Sequence, residues 1–395
     1  MATFETSLKS RLIYVFAIPD EWHKDCLKVG ETTLEEDDGN FPLPNSEVLN
    51  KAACDRIDQY TKTAGIAYNL LHTEMTVFFK GGTISSFNDK QVHSVLERSG
   101  VKKKTFDTVK GANEWFCCDL ETVKKAIHAV KNGRNSLNAS DISYTQTPII
   151  FRPEQQAAID KTKKQFKKGA QMLWNAKMRF GKTLCALRVA RDLEMRRTII
   201  LTHRPVVDES WFEDFGKIFY DRTDYHYGSR TKGEDFTSLE RLAKKGDRYV
   251  YFASMQDMRG AQLVGGKFDK NNEVFSTDWD FLIVDEAHEG TRTELGESVI
   301  KELTKANTKV LKLSGTPFNL LDDYTEEETY TWDYTMEQRA KTEWDLLHMG
   351  DPNPYASLPA INIYTYDLGA LMNDYSEDEK AFNFREFFRT KDDGM

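Results

Sequence analysis

Several things are scarce in this sequence, and each scarcity excludes something. No apolar run approaches the roughly 18 residues that a bilayer-crossing helix needs; the longest are short, such as the one around Ile199–Leu201. The opening stretch MATFETSLKS lacks the charged-then-apolar build of a secretory leader, so a cytoplasmic protein is expected. The five cysteines, Cys26, Cys54, Cys117, Cys118 and Cys185, form no CxxC pair and show no zinc-site spacing with histidine. They read as reduced structural thiols. Basic charge is not in excess: 54 Lys and Arg stand against 63 Asp and Glu, a net charge of −9. That argues against holding a polyanion by bulk charge, while leaving room for a local basic groove. Lys102–Lys104, Lys161–Lys168 and Lys244–Arg248 are such local clusters, and solvated faces are their first reading. There is no internal repeat and no low-complexity tract.

What is present divides the 395 residues into stretches of different texture. Residues 1–130 suit a small mixed α/β domain. Strands are predicted at Leu12–Ile18, Leu27–Gly30 and Asn69–Phe79. Helices are predicted at Glu47–Ala64, Asp89–Arg98 and Leu120–Lys131, with Asp89 as the N-cap and Gly100 as the stop of the second. Glu31–Ser46 is acidic and reads as an excursion, and residues 131–147 are polar and read as a linker. From Pro148 to about residue 325, strands alternate with helices. The strands are Gly169–Asn175, Thr198–Thr202, Arg248–Ala253, Phe281–Asp285 and Lys309–Ser314, a pattern that predicts a parallel α/β sheet. Residues 326–395 turn acidic and aromatic and read as a helical excursion followed by a strand at Ala360–Tyr366.

Three strand ends in the second region carry chemistry. Ala176–Thr183 reads AKMRFGKT, a phosphate-loop pattern with Ala176 in place of its first glycine. Gly181 gives the tight turn, Lys182 would neutralise phosphate charge, and Thr183 would ligate magnesium. The helix that follows aims its positive end at the same place. Phe281–His288 reads FLIVDEAH. Asp285 would hold the magnesium, Glu286 would polarise the attacking water, and His288 would couple the site to the next motif. Leu313–Pro317 reads LSGTP, where Ser314 and Thr316 could touch both the acids and nucleic acid.

The order GKT, DEAH, SGTP resembles the superfamily 2 helicases, in particular the motors of restriction and defence enzymes. On that resemblance, Arg152 and Gln155 of RPEQ belong to the adenine-reading element, with Gln155 on the base edge. Thr202 and Arg204 of LTHRP, and Gln256 of SMQ, match strand-end motifs that contact the nucleic-acid backbone. The fold implied is a RecA-like ATPase domain, the ligands ATP and Mg2+, and the partner DNA. Such motors hydrolyse ATP between two RecA-like domains, the second supplying an arginine finger. No second set of motifs follows SGTP before Met395, so a second domain or subunit in trans is expected, and weak hydrolysis by this chain alone.

The N-terminal region resembles the GIY-YIG nuclease superfamily in its phage-type branch. LIY (12–14) stands for the first triplet and KVG (28–30) for the second, with Lys28 where the second tyrosine belongs. The resemblance implies that Tyr14 orients or deprotonates water, that Arg56 neutralises the phosphate, and that Asp89, four residues before His93, ligates the metal. Glu114 of EWF is the alternative ligand. The overall expectation is an ATP-dependent DNA translocase coupled to a metal-dependent DNA endonuclease. The alternatives are a motor with an inactive N-terminal DNA- or partner-binding domain, and an ATP-binding assembly subunit.

Overall fold

The structure, a computed structural model, describes residues 10–34, 41–80, 82–106, 114–141, 149–203, 205–287, 294–316, 320–348 and 350–358. Among these no helix is long and apolar enough to cross a membrane.

The N-terminal part is built on β1 (Arg11–Ala17), whose sequence RLIYVFA is buried almost throughout. A strand buried on both faces must be central, and it is. β1 pairs antiparallel with β2 (Leu27–Thr33) on one side and with β3 (Asn69–Met75) on the other, and β2 carries the short β6 (Trp115–Phe116). The sheet order is β3-β1-β2-β6. Alternate β1 residues go to different helices. Leu12, Tyr14 and Phe16 pack under α1 (Glu47–Thr61) with Leu49, Ala53 and Ile57. Ile13 and Val15 pack under α2 (Asp89–Arg98) and α3 (Leu120–Lys131) with Val92, Leu96, Val123 and Ile127. Each fully buried Leu, Ile, Val or Phe among them stabilises the module by about 1.5–3 kcal/mol.

Three expectations change here. The run predicted as one strand, Asn69–Phe79, breaks at Thr76, whose N–H and hydroxyl both turn to the Arg11 carbonyl. Its second part becomes β4 (Val77–Lys80), a separate hairpin with β5 (Thr83–Ser86). The N-cap of α2 is Asn88, not Asp89: Asn88 accepts from the Gln91 N–H while Gln91 returns a bond to the Asn88 N–H, a reciprocal box that Asp89 could not have closed at N3. Finally, the described part of the 131–147 stretch is a packed segment. Ser136, Leu137 and Ala139 are buried.

The second part is a seven-stranded, all-parallel sheet. Its strands are β7 (Gln171–Ala176), β8 (Arg197–Thr202), β9 (Tyr225–Gly228), β10 (Arg248–Ser254), β11 (Phe281–Asp285), β12 (Lys309–Ser314) and β13 (Thr329–Trp332). The spatial order is β13-β7-β12-β11-β8-β10-β9. The near-continuous apolar runs of β8 and β11 suit central parallel strands covered on both faces. One face takes α4 (Pro153–Gln165), α5 (Lys182–Asp192) and α6 (Asp208–Phe219). The other takes α7 (Phe236–Ala243), α8 (Met255–Arg259), α9 (Asn272–Ser276) and α10 (Glu294–Leu303).

All five expected strands are present; β9 and β13 were not foreseen. β13 corrects the boundary expected at residue 325. It pairs parallel with β7, so the sheet runs on into the stretch read as an excursion. The helix that follows, α11 (Tyr334–Leu347), packs back with Trp344 against the core of the sheet. The predicted strand Ala360–Tyr366 lies outside the described residues.

The two parts are clamped together. The Arg98 guanidinium, at the end of α2, donates to the carbonyls of Gly233 (2.7 Å), Ser229 (3.0 Å) and Arg230 (3.1 Å), and the Gly233 N–H returns a bond to the Arg98 carbonyl. Buried Glu234 accepts from the N–H groups of Asn135 and Ser136 and from Arg134. Carbonyl and carboxylate acceptors of the second part thus meet two arginines that precede it in the chain.

Candidate nucleotide site and N-terminal polar cluster

Parallel strands in register deliver their last residues to one edge. Asp285 ends β11 opposite Thr202, which ends β8 opposite Ser254 of β10. Ser314 ends β12 opposite Asn175, and Ala176 ends β7. The motifs read from the sequence therefore meet at the carboxyl edge of the sheet, where ligands bind in open α/β folds.

The phosphate loop leaves β7 at Ala176 and re-enters a helix at Lys182. Gly181, as N-cap of α5, has φ +92, which favours glycine, and a Cβ there would lie 2.6 Å from Gln155 Nε2. Lys182 Nζ donates to the Ala176 carbonyl at 2.8 Å. Burial lowers its pKa, opposed by the nearby Glu286 and Asp285. Burial, and then Glu286, raise that of Asp285. Asp285 accepts from the Trp211 indole N–H at 3.3 Å and from the Glu286 N–H at 3.0 Å. Glu286 has φ +49, a conformation that costs about 1–3 kcal/mol without glycine and is found where the surroundings fix a side chain for use. The Ala287 N–H bonds the Leu313 carbonyl, tying the acidic turn to the LSG turn. Thr183 is half-buried in the first turn of α5. These residues fit a phosphate chain with a divalent cation: a lysine, a helix N-terminus behind a left-handed glycine, and a carboxylate converge on one side.

Gln155 is 6% exposed and spends its amide on the chain itself. Its Nε2 donates to the Phe180 carbonyl at 2.6 Å and its Oε1 accepts from the Arg152 N–H at 2.8 Å. Arg152 joins it on the Phe180 carbonyl at 2.9 Å. In this structure both hold the phosphate loop.

Sequence reading missed the other support of that loop. Lys177 pairs with Glu337 of α11 at 2.5 Å, and Glu337 is 1% exposed. Lys177 N–H also bonds the Trp332 carbonyl of β13. Tyr355 Oη donates to the Glu154 carboxylate, which Arg152 also meets. No motif marks these partners, because Trp332 and Glu337 lie 155 and 160 positions from Lys177, and Tyr355 lies 201 from Glu154. Trp211 was also missed; its signal is its place three residues into α6, just after the LTHRP strand end.

The residues expected to meet nucleic acid divide by exposure. Thr202 (1% exposed) and Ser314 (0%) lie inside. Gln256 and Thr316 are exposed, the Thr316 N–H bonding Ser314 Oγ. Arg204 and His288 lie outside the described residues.

In the N-terminal part, Tyr14 sits 3% exposed opposite Gly30. The glycine makes room: a Cβ there would lie 2.7 Å from the tyrosine ring. The Tyr14 hydroxyl is 3.5 Å from that of Tyr60, one α1 turn after Arg56. Burial raises the Tyr14 pKa, with Tyr60 and Arg56 pulling it down and Glu114 pushing it up. Lys28 pairs with Glu114 at 3.3 Å and stands over the Tyr60 ring at 4.5 Å. So Tyr14, Arg56 and Glu114 come together, with Lys28 and Tyr60 added. A groove of about 720 Å3 lined by Arg11, Glu31, Lys51, Asp55, Arg56 and Gln59 runs alongside.

Asp89 does not join the groups acting on Tyr14. It opens α2, the helix on the opposite face of the sheet, with its N–H 3.4 Å from Glu31 Oε2. His93 is 8% exposed and bonds the Val29 carbonyl at 2.8 Å, a structural role. Among the described residues no group of three or more His, Cys, Asp or Glu could hold a metal ion.

Residues 148–319 match the family model for the type III restriction enzyme, res subunit. That segment is similar to the RecA-like domain of restriction-type helicases. A protein of Mycoplasma pneumoniae, provisionally named the C-terminus of a type II restriction enzyme and methyltransferase, is 26% identical over 298 residues. The match takes in 61% of this chain, which spans 40% of that relative's length. Among solved structures, the SWI2/SNF2 ATPase core of Sulfolobus solfataricus in complex with dsDNA is 16% identical over 47% of this chain and 37% of that one, with a TM-score of 0.33. The ATP-dependent Type ISP restriction-modification enzyme LlaBIII bound to DNA is 15% identical over 45% and 13%, with a TM-score of 0.31. Both are distant likenesses.

Proposed function

We propose that the chain is part of an ATP-driven DNA translocase of the restriction type, whose N-terminal module is a GIY-YIG-like nuclease working on the same DNA. One observation carries the motor half of this reading. Lys182 and Asp285, 103 positions apart in sequence, face each other's charge at the edge where the phosphate loop, the acidic turn and the LSG turn meet. Lys182 and the N–H groups opening α5 would hold the phosphates of ATP, and Thr183 and Asp285 would hold Mg2+. A magnesium ion held by these two residues would neutralise charge on the phosphates. Glu286 would accept the proton of the attacking water, and Gln155 with Arg152 would tie the loop to the base-binding side. His288 and Arg204 keep their expected roles, in coupling to the LSG turn and in contacting the nucleic-acid backbone. The arginine that meets the γ-phosphate would come from a second RecA-like domain or subunit. Exposed Gln256 and Thr316 are the residues that would meet DNA first.

The nuclease half rests on the meeting of Tyr14, Arg56 and Glu114, with Glu114 rather than Asp89 as the carboxylate for a metal. A second reading, an N-terminal module that binds DNA without cutting, is favoured by the separation of Asp89 from Tyr14. Nicking of supercoiled plasmid with Mg2+ or Mn2+ decides between them. The nuclease reading expects nicking that Tyr14→Phe and Arg56→Ala abolish; wild type as inert as both variants would leave the binding module. The motor is tested by ATP hydrolysis: the chain alone is expected to hydrolyse weakly, a second RecA-like domain supplied in trans to give DNA-stimulated turnover, and Glu286→Gln to abolish that turnover.

A further inference from the structure

Cys26 and Cys117 lie 91 positions apart in sequence, yet their sulfurs are 3.2 Å apart. The β2–β6 register explains the meeting. Leu27 stands opposite Phe116 and Lys28 opposite Trp115, so the next step brings Cys26 opposite Cys117. Neither backbone N–H is spent on the other cysteine: that of Cys26 bonds His23 O and that of Cys117 bonds Lys102 O. Such a pair without mutual ladder bonds is the closer of the two kinds of cross-strand pair, within reach of a disulfide after small side-chain rotations. The two sulfurs differ in access. Cys26 is 4% exposed, whereas Cys117 is exposed. Burial and then Cys117 push the Cys26 thiol up to about 11, and burial pushes neighbouring Cys118 up to about 12. Cys117 is therefore the sulfur that solvent meets first, with Cys26 behind it to receive the bond.

We propose that Cys117 and Cys26 form a reactive dithiol site that a small-molecule disulfide, such as oxidised glutathione, converts to a Cys26–Cys117 disulfide. The Cys117 thiolate attacks one sulfur of the small disulfide, whose S–S bond breaks and releases one small thiol. The Cys26 thiolate then attacks Cys117 Sγ and expels the second. Two protein thiols are oxidised, one small disulfide is reduced, and the two protons leave on the released thiols. The product joins β6 to β2 two residues from the Lys28–Trp115 pair and three from Glu114. It thereby fixes the Lys28–Glu114 contact beside Tyr14. In a reducing compartment the bond would be transient.

The test treats the reduced full chain with oxidised glutathione, quenches in acid, alkylates and maps the peptides by mass spectrometry. The expected product is a Cys26–Cys117 linked peptide, formed at least about tenfold faster than glutathione adds to Cys54 or Cys118. Cys26→Ser should stop the reaction at a Cys117–glutathione mixed disulfide, and Cys117→Ser should leave Cys26 free. Wild-type Cys117 ending as the mixed disulfide with Cys26 alkylated, or joined to Cys118, would overturn the proposal. Hydrogen exchange on the oxidised wild type needs no variant. The Cys117 and Lys104 amides should slow at least about tenfold, and unchanged rates would contradict the joining of the strands.

Discussion

The seven-stranded sheet and the N-terminal sheet gather their polar residues by different means. In the seven-stranded sheet, parallel strands end in register and each contributes one motif to a common edge, so sequence order translates into position. In the N-terminal module the strands are antiparallel. Tyr14 comes from a central strand, Lys28 from its neighbour, Arg56 and Tyr60 from a covering helix, and Glu114 from the approach to an edge strand. There the face of the sheet on which a residue falls decides whether it belongs, and Asp89 falls on the other face. Order along the chain is informative where topology is repetitive, and much less so where a sheet has two separately covered faces.

The comparison can be broken first at its strongest point. With the second RecA-like domain supplied in trans, Glu286→Gln should lower ATP hydrolysis by about 100- to 1000-fold while nucleotide binding persists, because the role proposed for the carboxylate is proton transfer and not the holding of phosphate. Steady-state hydrolysis and equilibrium binding on the same protein check both parts. Next comes the face argument. Tyr14→Phe and Glu114→Gln should each reduce plasmid nicking by about 100-fold, whereas Asp89→Asn, on the other face, should change it by less than about threefold. A larger loss in Asp89→Asn than in Glu114→Gln would restore the metal role first expected of Asp89.

Much of the seven-stranded sheet was legible because the runs FLIVD and RTIILT read as buried strands, and because glycine, lysine and acid sit at fixed places at strand ends. β13 was not legible: TYTW alternates over only four residues within an acidic stretch, and its place beside β7 is held by Lys161 and Lys177 reaching it from elsewhere and by its own Tyr330 reaching the Glu154 carbonyl. The N-cap of α2 was one residue off because Asn88 and Asp89 are both good caps and only Gln91 decides between them. The clamp at Arg98 was invisible, since its partners are backbone carbonyls that no side-chain pattern encodes.

That clamp gives the third prediction. Arg98→Ala leaves the Gly233, Ser229 and Arg230 carbonyls without their charged donor and should cost about 1.5–3 kcal/mol, read as a shift in urea midpoint. Faster hydrogen exchange should appear in residues 229–234, with the core of β11 unchanged. The smallest effect is at Trp211. Trp211→Phe keeps an aromatic but smaller side chain and removes one hydrogen bond to Asp285, about 1 kcal/mol. It should weaken the Mg2+ dependence of nucleotide binding by about fivefold and leave metal-free binding alone.

The central claim is that residues 176–183 and 285–286 form one nucleotide site. Calorimetric titration of the full chain with a non-hydrolysable ATP analogue and Mg2+, wild type against Lys182→Ala, tests it most directly, since it requires neither turnover nor DNA. Loss of a charge-assisted phosphate contact should weaken binding by at least about tenfold, with far-UV circular dichroism unchanged. Equal affinity in the two folded proteins, or no binding to the wild type, would contradict the account.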